Sequence, residues 1–149
     1  MRTSRMITPI LVVSAAGGAI ALSTGSAYAL VPATIDMTII NNTDSTMFLD
    51  RSENSYGAWI VAPKSELEPG QSQTVSASTW NAQGFGVDVT YGMSEDTSVV
   101  FSATNYRGIP TTYGTRVDGA NPLRWNVFSS VNQDAPNMTA YYTLLPPLR

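Results

Sequence analysis

The spacing of turn signals constrains this chain more than any other feature. Between residues 34 and 145 no window of eleven or more residues holds a helical apolar period. Short alternating segments are instead separated by "NNTD", "PKSELEPGQ", "GMSEDTS", "NYRGIP", "DGANP" and "SSVNQDAPN", each rich in residues that favour turns. The segments predicted as strands are 34–41, 45–50, 57–62, 72–79, 85–93, 97–104, 111–117, 123–129 and 138–145. Short strands with frequent turns predict an all-β fold, an antiparallel β-sandwich of about eight to nine strands. The clearest pair joins 85–93 to 97–104, where Phe85, Val87, Val89 and Tyr91 meet Val99, Phe101 and Ala103 across a short loop. The stretch "TIDMTIINNTDSTMFLD" reads as a hairpin or tight strand connection, with Ile35, Met37 and Ile39 facing Met47 and Leu49 across an Asn-rich turn.

The first 29 residues have a different character. Arg2 and Arg5 form a basic start, Met6 to Leu22 is mostly apolar, and Ala27-Tyr28-Ala29 places small residues where a signal peptidase cuts. The apolar run is shorter than the roughly 20 residues a transmembrane helix needs. The expectation is a signal peptide over 1–29 and a single soluble β-sandwich domain over 30–149, secreted to the extracellular space without a transmembrane anchor. The sequons at Asn41 and Asn137 match a pattern too common by chance to carry a function.

Composition removes several kinds of chemistry. The chain contains no histidine and no cysteine. A Ser-His-Asp triad, a Cys-His pair, a histidine or thiolate zinc site and a disulfide framework are therefore unavailable, and stability must rest on an ordinary hydrophobic core. Residues 30–149 hold all 11 carboxylates but few basic side chains, Lys64 being the only lysine. Such a surface repels phosphate backbones, so nucleic acid is a poor partner, and it has no general attraction for anionic lipid. Two-carboxylate glycosidase chemistry has candidates in Asp36, Asp50, Glu53, Glu66, Glu68, Asp88, Glu95, Asp96, Asp118 and Asp134. Most of these sit in predicted turns as solvated charges, and Asp88 reads as an outward-facing strand residue. No acidic loop has the spacing a calcium site needs. The reading is a protein that is not an enzyme and uses no cofactor or metal.

The order "TIINNTDSTMFLD", "GAWIVAPKSELEPGQ", "GFGVDVTYG" and "VVFSATNYRGIPTTYG" resembles the aegerolysin-like family, its bacterial members in particular. The resemblance covers residues 34–117, with Trp59, Tyr91 and Asn105-Tyr106 at matching positions. The segment "FSATNYRG" lacks the tryptophan that many members carry there. The resemblance implies a small β-sandwich that binds membrane lipid and acts with a pore-forming partner. The alternative from the residues alone is an extracellular module that binds protein or carbohydrate, or a secreted inhibitor, since antiparallel sandwiches carry binding sites on their loops.

Tyr56, Trp59, Trp80, Tyr106, Tyr113 and Trp125 fall at predicted strand ends or in loops, where an amphipathic ring can enter a lipid interface, stack on a sugar or pack at the core rim. Trp125 and Trp59 read first as packing residues. Trp80, Tyr106, Trp59 and Tyr113 are the lipid-binding candidates.

Overall fold

A computed structural model describes residues 31–94 and 96–147. The predicted signal peptide and Glu95 lie outside the described residues. Among the described residues eleven strands run in chain order: β1 (Ala33–Asn41), β2 (Met47–Ser55), β3 (Ala58–Val61), β4 (Glu66–Leu67), β5 (Ser72–Thr79), β6 (Gly84–Gly92), β7 (Thr97–Tyr106), β8 (Ile109–Thr111), β9 (Arg116–Gly119), β10 (Asn126–Asp134) and β11 (Asn137–Leu145). A 3-10 turn over Pro122–Arg124 is the one helical segment among the described residues, and none of them forms a helix long and apolar enough to cross a membrane.

Period-two patterning selects two sheets. The first has the order β10-β11-β1-β5-β3 and the second β4-β2-β6-β7, with β8 and β9 both pairing on the outer side of β7. Neighbours pair antiparallel except β1 with β11, which are parallel. In β1, Ile35, Met37 and Ile39 are buried while Thr34, Asp36 and Thr38 on the alternate face are only half-buried. Register carries that alternation across the sheet, so that Val75, Met37 and Ala140 form one inward row. The facing layer comes from Phe85, Val87, Val89 and Tyr91 of β6 and Val99, Phe101 and Ala103 of β7, all buried.

Tyr142 ties the two layers together. Its ring meets Phe101 edge-on at 5.5 Å, and its hydroxyl donates to the Ser102 carbonyl at 2.7 Å. Burial pushes the Tyr142 phenol well above its ordinary value, because ionisation would strand a charge in the core. Tyr91 is also raised by burial, partly offset by the hydrogen bond from Gln73, and it donates to the Lys64 carbonyl at 2.8 Å.

The predicted pairing of 85–93 with 97–104 is present in continuous register, with Val89 opposite Phe101. Asp88 lies opposite Ser102 on the alternate face and is half-buried. Of the two readings of residues 34–50, the tight strand connection is the one that forms, not the hairpin. β1 belongs to the first sheet and β2 to the second, so the Asn-rich turn crosses between layers. Asn41 explains the crossing: its Nδ2 donates to the Ser45 and Leu67 carbonyls at 2.8 and 2.9 Å, and its Oδ1 accepts from the Thr43 amide and hydroxyl. Those bonds leave the Asn41 side chain fully buried, while Asn137 Oδ1 accepts from the Thr34 amide.

Two further strands exceed the expected count. β4 is a two-residue pairing against β2, and the predicted strand 111–117 divides into β8 and β9. At the break, Thr115 Oγ1 takes the place of a backbone partner, accepting from the Ser102 amide at 3.1 Å and donating to its carbonyl at 3.3 Å.

Candidate functional site

The two ends of the sandwich are built differently, and the end where β1 begins and β5 finishes carries the cavities. The β5–β6 loop there is tied to itself. Thr79 Oγ1 donates to the Tyr56 carbonyl, the Asn81 amide donates to Thr79 Oγ1 at 3.1 Å, and the Gln83 amide donates to Asn81 Oδ1 at 3.0 Å. With its backbone held, the loop presents Trp80 outward at 71% exposure. Gly84 then enters β6 with φ 91°, where a Cβ would meet the Asn105 carbonyl oxygen at 1.8 Å, so only glycine fits.

Opposite this loop, Tyr106 pairs with Ile109 around a two-residue turn in which Arg107 and Gly108 both have positive φ, 54° and 73°. A hairpin turn of that kind favours Asn-Gly, because asparagine tolerates the left-handed region better than longer side chains do. Arginine there costs about 1–3 kcal/mol of backbone strain. Its amide donates to the Gln83 carbonyl and its Nε to Gln83 Oε1, both at 3.0 Å, which fixes the side chain against the β5–β6 loop. Tyr56 is likewise strained, at φ 67°, and 75% exposed.

Between these loops lies a cavity of about 470 Å³, walled by Val31, Ala33, Trp80 and Pro136, with Asn105 and Arg107 as polar groups. A shallower one of about 310 Å³ adjoins it and shares Thr79, Trp80 and Asn81. Trp80 is thus a common wall. Among the described residues Arg107 is the only charged side chain lining either cavity. Asn105, at 4% exposure, donates from Nδ2 to the Pro136 carbonyl at 2.9 Å, while its Oδ1 is buried without a partner. An unmet buried acceptor costs on the order of 1–3 kcal/mol, and it suits a ligand that brings a donor.

The four candidates from the sequence are only partly brought together. Trp80 stands in the cavity wall. Tyr106 lies between two lining residues, but its hydroxyl sits over Gly86, on the alternate face of β6 from the core residues. Trp59 is half-buried in β3 and packs against the core, and Tyr113, 96% exposed, stands in the loop between β8 and β9, away from both cavities. Tyr91 and Trp125 are buried, and Arg124 stacks 5.5 Å from the Trp125 ring centre. Sequence reading missed Arg107; its one local signal is an arginine where a tight turn favours asparagine.

Of the candidate carboxylates, Glu53 and Asp88 stand opposite each other on β2 and β6. Asp36 accepts from the Ser76 hydroxyl, Glu53 pairs with Arg51 at 3.4 Å, and Asp118 pairs with Arg116 at 2.7 Å. Among the described residues no group of His, Cys, Asp or Glu is arranged to hold a metal ion.

Fold and site together define a two-layer β-sandwich with one open, aromatic-rimmed end. No protein-family model matches the sequence, and no curated protein matches it. Solved structures do share the fold. The lipid binding protein Nakanori superposes with a TM-score of 0.60 at 10% identity, over 77% of this chain and 72% of that one. IP-1A from Alcaligenes faecalis superposes with a TM-score of 0.54 at 12% identity, over 76% of this chain and 91% of that one.

Proposed function

We propose that this is an exported, non-enzymatic, aegerolysin-like lipid-binding protein that takes a lipid headgroup into the Trp80 cavity and acts with a pore-forming partner. The observation that carries the reading is Trp80 itself, a largely exposed indole walling two adjoining cavities. Its ring, with Tyr56 and Val31 nearby, suits the membrane interface, where amphipathic aromatics reside. Arg107 offers a fixed cation to an anionic headgroup atom, and Asn105 Oδ1 offers an acceptor to a headgroup donor. The acidic surface supplies no broad attraction to membranes, so affinity comes from the pocket and from apolar insertion. The likeness to a lipid binding protein supports the same reading.

Vesicle sedimentation across lipid compositions, at low and high salt, tests it. The expected result is retention on one lipid class with weak salt dependence, since a single cation faces the ligand. Trp80→Ala should weaken retention by about 2 kcal/mol, roughly thirtyfold, with the circular dichroism spectrum unchanged. Failure to bind any sphingolipid, sterol or phospholipid mixture would defeat lipid binding by this protein alone.

A further inference from the structure

The strands that end the two sheets are guarded to different degrees. β4 is two residues long, β3 has four residues and a register break between Trp59 and Val61, and the β8/β9 edge is interrupted and carries Arg116 and Asp118. Short length, irregular register and charge are the usual protections of a sheet edge. β10 has none of these through its central portion. It pairs with β11 without a shift from Asn126 to Asp134, has no charge before Asp134, and is exposed from Phe128 onward. Side-chain bonds tie it to the neighbouring loops, Ser129 Oγ to Thr112 Oγ1 at 2.8 Å and its own Gln133 Nε2 to the Gly108 carbonyl, but among the described residues no strand pairs on its far side.

The sequence of this edge is self-complementary. Residues 126–132 read Asn-Val-Phe-Ser-Ser-Val-Asn, which is nearly palindromic about Ser129. Val127, Ser129 and Val131 lie opposite the buried Leu144, Tyr142 and Ala140 and so point inward, while Asn126, Phe128, Ser130 and Asn132 point outward. An antiparallel two-fold centred on Ser129 pairs inward with inward and outward with outward, as strand pleating requires. Val127 then meets Val131 of the other copy, and Asn126 meets Asn132. The inward Val131 is 40% exposed in one copy, which such pairing would cover. Most of the molecule is acidic and repels its own copies, whereas residues 126–133 bear no charge.

We propose that β10 is a self-association edge through which two copies of this chain pair antiparallel about Ser129, joining their first sheets into one. The interface is isologous, each copy presenting the same strand. It does not depend on the lipid reading.

Sedimentation velocity of the purified protein should show a monomer–dimer equilibrium at concentrations on the order of 10–100 μM. Ser130→Asp places like charges on both copies beside the axis and should weaken the dimer about tenfold or more. Because the chain has no cysteine, Ser129→Cys introduces a single thiol, which mild oxidation should convert to a covalent dimer much faster than the same substitution at the exposed Thr74. A monomer at every concentration overturns the proposal. So does a dimer unaffected by Ser130→Asp, or oxidation of Ser129→Cys no faster than that of Thr74→Cys.

Discussion

Two buried asparagines, one at each end of the sandwich, show how differently the ends are finished. Asn41 is fully buried and its amide makes four hydrogen bonds, which close the β1–β2 crossing. Asn105 is nearly as buried, yet it spends one hydrogen bond on Pro136 and leaves its oxygen unmatched beside a cavity. Strained backbone follows the same division in part, since Tyr56 and Arg107 both stand at the Asn105 end. The same residue type secures the fold at one end and leaves an open valence at the other. Unmet polar groups and strain persist where surrounding structure holds them and a ligand can use them.

The comparison gives a ranked set of stability effects. The core that holds the two ends in register is the most sensitive part. Phe101→Ala removes a ring packed edge-on against both Tyr91 and Tyr142 and should cost about 3–5 kcal/mol, whereas Asp88→Asn should cost little. Equilibrium denaturation of the two variants checks this, and the opposite ranking would mean the faces of β6 and β7 are reversed. Next come the asparagines. Asn41→Ala should cost on the order of 2–4 kcal/mol because buried partners lose their bonds, and Asn105→Ala under about 1 kcal/mol because it removes an unmet acceptor together with one bond. Equal costs would erase the distinction between the ends.

The smallest effect is on pH dependence. The phenols of Tyr91 and Tyr142 are raised in the folded state above the ordinary value of 10.0. Above about pH 10 the unfolded chain releases these protons first, so the folded state is destabilised as pH rises and is unaffected below that point. Tyr142→Phe should flatten the alkaline limb of a stability–pH curve. An unchanged limb would contradict the burial assigned to that phenol.

Much of the fold was legible because β-strands buried on one face write their period into the sequence. β1, β5, β6, β7 and β11 fall within one or two residues of the predicted segments. The sequence leaves a hairpin and a tight strand connection open at β1–β2, because a polar turn between two apolar runs looks the same whether it joins neighbours or crosses layers. What separates the two is Asn41 bonding to Leu67, a contact 26 residues away. The turn composition of "SSVNQD" predicts a strand ending at 129, and nine pairings with β11 override that local preference in β10. The site was least legible. Its walls come from β1, the β5–β6 loop, the β7–β8 turn and the β10–β11 turn, so no local motif announces it. Trp80 is conspicuous in the sequence as an indole in a loop; Arg107 and Asn105 acquire their roles only through folding.

Tryptophan emission during vesicle titration tests most directly whether the open end is the working end. The three tryptophans differ in environment, since Trp80 is 71% exposed, Trp59 is half-buried and Trp125 is 3% exposed. Vesicles of the lipid class that retains the protein should shift the emission to the blue, and Trp80→Phe should abolish that shift while leaving the emission of Trp59 and Trp125 in place. A full shift in Trp80→Phe, with vesicle retention intact, would mean that another part of the surface meets the membrane.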